Sequence, residues 1–164
     1  MKLTDDEKYM KRALRKAKEA LALGEVPVGC VIVREGKVIA TGRNMRETKR
    51  SAVAHAEINA INAACRKAGA WRLCDCELYV TLEPCPMCAG AIINARIKRV
   101  IWGAPDKKAG AFGSVADISA FDLNHSVEIC SGVLENECAE LISEFFRALR
   151  VEKKKPVNNN TGDQ

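Results

Sequence analysis

From Val28 to Leu149, short runs of β-branched and apolar residues alternate with longer stretches in which apolar residues return every three or four positions. Compact apolar runs bounded by turn residues mark strands, and a period near 3.6 marks a helix. Helices that alternate with strands must cover both faces of one sheet, so few architectures remain. Met10, Ala13, Leu14, Ala17 and Leu21 keep helical spacing from about Asp5 to Leu23, and Gly24 supplies a stop. Val28–Val33 and Val38–Thr41 flank the turn Arg34-Glu35-Gly36-Lys37, which predicts a hairpin. Residues 42–54 are polar and without period, so a long loop is expected there. A second helix begins near His55, carries Ile58, Ile61, Cys65 and Ala68 on one face, and ends at Gly69. Leu78–Thr81 is a strand, Cys85–Ala95 a helix with Cys88, Ala91, Ile92 and Ala95 together, and Val100–Trp102 a strand. Residues 104–125 give no ordering signal. Val127–Cys130 completes the strands, and Leu134–Leu149 is a last helix with Cys138, Leu141, Ile142, Phe145 and Leu149 facing inward. The fold class is α/β, a three-layer α/β/α sandwich around a five-stranded mixed sheet. One domain is expected over residues 1–151, followed by a basic and polar tail, 152–164, expected to be disordered.

A chain of 164 residues can bury roughly two-thirds of its surface, enough for a core without disulfide staples. With 48% hydrophobic and 29% charged residues it is not a disordered chain. No window approaches 18 uninterrupted apolar residues, and Asp5, Asp6 and Glu7 near the start do not suit a secretory signal, so a cytoplasmic location and no membrane association are expected. The net charge of +5 is concentrated at the ends: residues 1–23 and 147–164 are each +3, and the stretch between is −1. Arg43, Arg46, Lys49 and Arg50, opposed only by Glu47, form a third basic cluster. Such clusters serve solubility or contact with a polyanion.

Most of the eight cysteines lie in apolar runs and read as small buried hydrophobes. Cys85-Pro86-Met87-Cys88 differs, because turn and helix-start signals flank it. Together with His55-Ala56-Glu57 and Glu83-Pro84 it forms the constellation that carries chemistry. One imidazole (His55) and two thiolates (Cys85 and Cys88) make a catalytic zinc set, with the fourth tetrahedral position open for water. Cysteines at i and i+3 share one helix face, and a helix N-terminus stabilises thiolates so close together. If His55 starts its helix, it turns to the metal while Glu57 points at the metal's ligand. Glu57 then takes a proton from that water and hands it to a leaving group. Two other readings stand beside this one: a redox C-x-x-C pair, and a structural zinc site with His125, Cys74 or Cys76 as fourth ligand.

His55-Ala56-Glu57 with Glu83-Pro84-Cys85-Pro86-Met87-Cys88 matches the H-x-E…P-C-x-x-C pattern of zinc nucleoside and nucleobase deaminases. The run Val80–Ile93, continued by Ala95-Arg96-Ile97, Gly103-Ala104-Pro105-Asp106 and Lys108-Ala109-Gly110-Ala111, with Val26-Pro27-Val28-Gly29 and Asn44, resembles the bacterial tRNA-specific adenosine deaminases over residues 5–150. They belong to the cytidine/deoxycytidylate deaminase superfamily. The resemblance implies a cytidine-deaminase-like fold, one Zn²⁺ per subunit on His55, Cys85 and Cys88, and Glu57 as proton shuttle. It implies substrate contacts at Val28 and Asn44, with Asn44 on the purine edge. Asp106 would lie beside the RNA backbone, and Phe146 and Arg150 would hold the anticodon loop. It also implies a homodimer that converts adenosine to inosine at the wobble position of a tRNA anticodon. A guanine or cytidine/deoxycytidylate deaminase would share the zinc site but needs no basic ends. A zinc-dependent RNA-binding module without catalysis would need no Glu57. Cys74, Cys76 and the tail beyond 150 match nothing in that pattern.

Overall fold

The computed structural model describes residues 2–153. The chain runs α1 (Asp5–Ala22), β1 (Gly29–Arg34), β2 (Lys37–Arg43), α2 (Arg46–Lys49), α3 (Ala56–Ala68), β3 (Cys76–Leu82), α4 (Pro86–Asn94), β4 (Arg99–Ala104), β5 (Glu128–Ser131) and α5 (Glu135–Lys153), with one 3₁₀ turn at Ile118–Ala120. The sheet order is β2-β1-β3-β4-β5. β1 pairs antiparallel with β2 and β3, whereas β3–β4 and β4–β5 are parallel. This is the mixed five-stranded sheet expected from the element order.

Period-two alternation assigns the two faces. Cys30, Ile32, Leu78, Val80, Val100 and Trp102 pack with α3 and α4 residues such as Ala56, Ala60, Ala89 and Ile92. Val31, Val33, Tyr79 and Ile101 pack with Met10, Ala13 and Leu14 of α1 and Cys138 of α5. The central strands are apolar on both faces because both are covered.

Local signals explain the helix limits. Thr4 and Glu7 form a reciprocal capping box that starts α1, and Gly69 in the left-handed conformation ends α3. α3 lies so close to β2 that a Cβ on Gly42 would overlap the Ala56 carbonyl. The α3 face toward the sheet is accordingly built from Ala56, Ala60 and Ala64.

Several expectations are corrected. Ala20 rather than Leu21 completes the inner face of α1, and Leu21 is 39% exposed. In α3 the buried set is Ala56, Glu57, Ala60, Ile61 and Ala64; Ile58 and Cys65 are half-buried and Ala68 is exposed, because the tight approach to β2 selects the small residues. The 42–54 stretch is not all loop, since β2 reaches Arg43 and α2 follows. The final helix continues to Lys153, and of its expected inner face only Cys138 is fully buried. The remainder of the expected tail, 154–164, lies outside the described residues. All eight cysteines are free; Cys74 is exposed and Cys76 buried. Among the described residues no helix is long and apolar enough to cross a membrane.

Candidate active site

Two helix starts converge at the C-terminal ends of the parallel strands β3 and β4. His55 is the N-cap of α3, and Cys85 is the N-cap of α4 with Pro86 at its first position. The extended backbone of each cap lets the side chain leave the helix axis. Cys88, one turn into α4, is buried and faces the same point. His55 Nδ1 lies 3.6 Å from Cys85 Sγ and 3.5 Å from Cys88 Sγ. Zinc bonds of about 2.3 Å to sulfur and about 2.05 Å to nitrogen, at the tetrahedral angle, place N and S about 3.6 Å apart. The donor spacing therefore fits a tetrahedral cation. Among the described residues the cluster has three members. His125, considered as a fourth ligand, instead pairs its Nε2 with the Ile97 carbonyl at 2.7 Å.

Both helix N-termini point their partial positive charge at this cluster, which favours thiolate. The Cys88 hydrogen bond, with that of His55, lowers the Cys85 thiol to about 4 against the opposing effect of burial. The same Cys85–Cys88 contact raises the Cys88 thiol, so one thiolate is favoured before any cation adds its own charge. Glu57, 4% exposed, lies beside Cys88, and burial lifts its carboxyl to about 7. A carboxyl in that range both accepts and donates a proton near neutral pH.

His55, Glu57 and Cys85 sit on a cleft of about 790 Å³ whose walls come from four other parts of the chain. Residues 4–150 match the family model described as MafB19-like deaminase. The chain is 48% identical over 158 residues to the tRNA-specific adenosine deaminase of Bacillus subtilis, covering 96% of this chain and 98% of that protein. This chain belongs to the tRNA-specific adenosine deaminases. The Haemophilus influenzae tRNA-specific adenosine deaminase is 46% identical, over 91% of this chain and 87% of its own. A solved structure from work on A-to-I editing by tRNA:A34 deaminases at the wobble position of transfer RNA superposes with a TM-score of 0.76 at 42% identity, covering 82% of this chain and 98% of that one.

The same cleft brings together Val28, Asn44, Asp106, Phe146 and Arg150 from the sequence analysis, but not Cys74, Cys76 or His125. Val28 and Asn44 line one wall, Asp106 the loop after β4, and Phe146 and Arg150 the exposed side of α5. Asn44 is buried at 5% exposure, and its Nδ2 donates to the Val26 carbonyl at 3.3 Å. That bond fixes the amide and leaves buried Oδ1 without a partner. A buried acceptor without a donor is costly. Asp106 Oδ1 accepts from the Lys108 and Ala109 amides at 2.9 and 3.1 Å, so it also folds its own loop.

The sequence reading named Glu83 and Lys108 only as parts of motifs and assigned no role to them, to Glu25 or to Lys107. Glu83, 2% exposed, accepts from the Asp106, Phe112 and Ser114 amides at 3.0–3.1 Å and from the Ser114 hydroxyl. It clamps the 105–114 loop over the cleft, and a Cβ on Gly110 would overlap its carboxylate. Glu25 holds α2 in the same manner from the other side. Lys107 and Lys108 join Arg147 on the rim. For the two glutamates the sequence holds a signal: Gly24-Glu25-Val26 and Leu82-Glu83-Pro84 each set a carboxylate among apolar or turn residues where solvation is not expected.

Proposed function

We propose that the protein catalyses the zinc-dependent hydrolytic deamination of adenosine to inosine at the wobble position of a tRNA anticodon, acting as a homodimer in the cytoplasm. The observation that carries the chemistry is the three-donor cluster with buried Glu57 beside it at the foot of an open cleft. The kinship with tRNA-specific adenosine deaminases carries the substrate. His55, Cys85 and Cys88 would hold the zinc. When bound there it would act as a Lewis acid and bring the pKa of a water toward neutrality.

Glu57 takes the proton of the attacking water and delivers one to adenine N1 as C6 is attacked. It then takes the remaining proton of the new C6 hydroxyl and passes it to the exocyclic amine as the C6–N6 bond breaks, so ammonia leaves and inosine remains. Asn44, through its side-chain amide, orients the purine edge, and Val28 packs against the base. The base must leave the stack to reach Glu57, which is less costly in an RNA loop than in a duplex. Arg46, Lys107, Lys108, Arg147 and Arg150 surround the mouth with positive charge suited to phosphates. Asp106, Phe146 and Arg150 face the nucleotides that flank the target.

The purified protein is incubated with an anticodon stem-loop carrying adenosine at the wobble position, and separately with free adenosine, guanine and cytidine. Inosine in the stem-loop is the expected product. Ammonia released from guanine or cytidine, with none from the stem-loop, overturns the substrate assignment and retains the metal chemistry.

A further inference from the structure

Helix α2 is a single four-residue turn with no buried residue. Neither propensity nor apolar packing holds so short a helix. It is held by polar contacts, and the deepest comes from Glu25, a carboxylate 1% exposed in the α1–β1 connection. Its Oε1 accepts from the Thr48 amide at 2.7 Å and the Thr48 hydroxyl at 2.8 Å, and its Oε2 from the Glu47 amide at 3.3 Å. Burial alone would raise the Glu25 carboxyl, but these hydrogen bonds, with Arg46 nearby, bring it below the ordinary glutamate value. The adjacent backbone is joined as well: the Asn44 amide donates to the Val28 carbonyl at 3.0 Å, and Asn44 Nδ2 donates to the Val26 carbonyl. Residues 25–28 and 44–48 thus form one unit along a wall of the cleft. Arg46, the first residue of α2, is exposed and lines the mouth beside Asn44 and Val26.

We propose that Glu25 is a positioning residue which, by anchoring α2, holds the Arg46 guanidinium at the cleft mouth as the contact for a substrate phosphate next to the base being deaminated. The inference rests on the nucleic-acid reading above, since a free nucleobase offers Arg46 no phosphate. Arg46 supplies charge and a planar fork for phosphate oxygens. Glu25 touches no substrate. Without it, the single turn of α2 frays, and Arg46 loses its fixed place.

The test measures kcat/KM for the wobble-adenosine stem-loop across KCl concentrations with zinc-loaded wild type, R46A, E25Q, T48V and the E25Q/R46A double variant. One phosphate contact on single-stranded nucleic acid contributes about 0.7 to the slope of log affinity against log salt. R46A is expected to lower kcat/KM about tenfold at low salt, through KM rather than kcat, and to flatten the slope by about 0.7. E25Q should flatten it by the same amount, and T48V should do so to a smaller degree. In the double variant the loss should match that of E25Q within about twofold, because the two residues act as one device. Additive losses, or a full salt slope in both E25Q and T48V, overturn the proposal and leave Glu25 a purely structural residue. A wild type that does not turn over the stem-loop removes the nucleic-acid reading and this inference together. Normal wild-type turnover with unchanged slopes removes only the inference.

Discussion

Glu57 shows how much one residue's surroundings decide. As residue two of α3 it would ordinarily be a solvated first-turn acid favoured by the helix dipole. Here it is buried beside Cys88 of α4, and the carboxyl rises to about 7. General acid–base groups contribute about 10²- to 10⁴-fold to rate. E57Q keeps the shape and removes the proton carrier, so kcat should fall by about that factor. Zinc content per chain, measured by elemental analysis of the purified variant, should stay at the wild-type level, because the three donors are untouched. Asn44 is a neutral counterpart: its Oδ1 is buried by the fold and gains no hydrogen bond from it.

At the scale of elements, the site depends on two helices that begin at the same place. His55 caps α3 and Cys85 caps α4, so any change in how these helices sit on the sheet displaces donor atoms. The contact that sets α3 is the backbone approach at Gly42. G42A places a methyl against the Ala56 carbonyl, and no flexible side chain is there to yield. Overpacking of this kind costs about 1–3 kcal/mol. The expected outcome is a lower Tm in thermal unfolding of G42A, with deaminase activity reduced further than the lost folded fraction accounts for, since His55 and Glu57 ride on the displaced helix. Loops are treated differently. Glu25 and Glu83 hold α2 and the 105–114 segment by hydrogen bonds to main-chain amides, which fixes those segments around a cleft that must stay open.

Over the whole molecule, positive charge is sorted by neighbour. Lys11, Arg15 and Lys18 of α1 share a groove with Glu137, Glu140 and Glu144 of α5 on the far side of that helix from the cleft. These basic residues of the N-terminal segment thus lie along a groove that acidic residues of the same fold also line. The cleft rim draws instead on Arg46, Lys107, Lys108, Arg147 and Arg150. The start of α1 is pinned to the interior strands β3 and β4: Arg99 donates to both Asp6 oxygens at 3.0 and 2.8 Å, and the Tyr79 hydroxyl donates to Asp6 at 2.8 Å. The Arg99 hydrogen bond chiefly holds the Asp6 carboxyl below its ordinary value of 3.8. A lowered carboxyl stabilises the fold above its unfolded value and loses that contribution as pH falls through its folded value. D6N should thus be less stable than wild type by about 1 kcal/mol at pH 7, a partly buried charged hydrogen bond being of that order. The gap should close below about pH 3.8, as followed by urea unfolding at several pH values.

The succession of strands and of every helix but α2, the hairpin turn and the helix stops at Gly24 and Gly69 were legible in the chain, because each rests on residues within one or two turns of each other. His55, Cys85 and Cys88 could be read as a set since their residue types and helix-start context restrict what they bind, although His55 and Cys85 are 30 residues apart. Tertiary structure alone decided which small residues face the sheet, that Glu25 reaches α2 across 22 and 23 residues, and that Asp6 meets Arg99 across 93. It also decided that Asn44 is left with an unused buried oxygen and that Lys11, Arg15 and Lys18 line a groove with acidic residues of α5. Periodicity records which side of an element is buried, not what lies against it. A buried carboxylate or amide is defined by its partner, and the partner is chosen only when the sheet order brings distant segments to one edge.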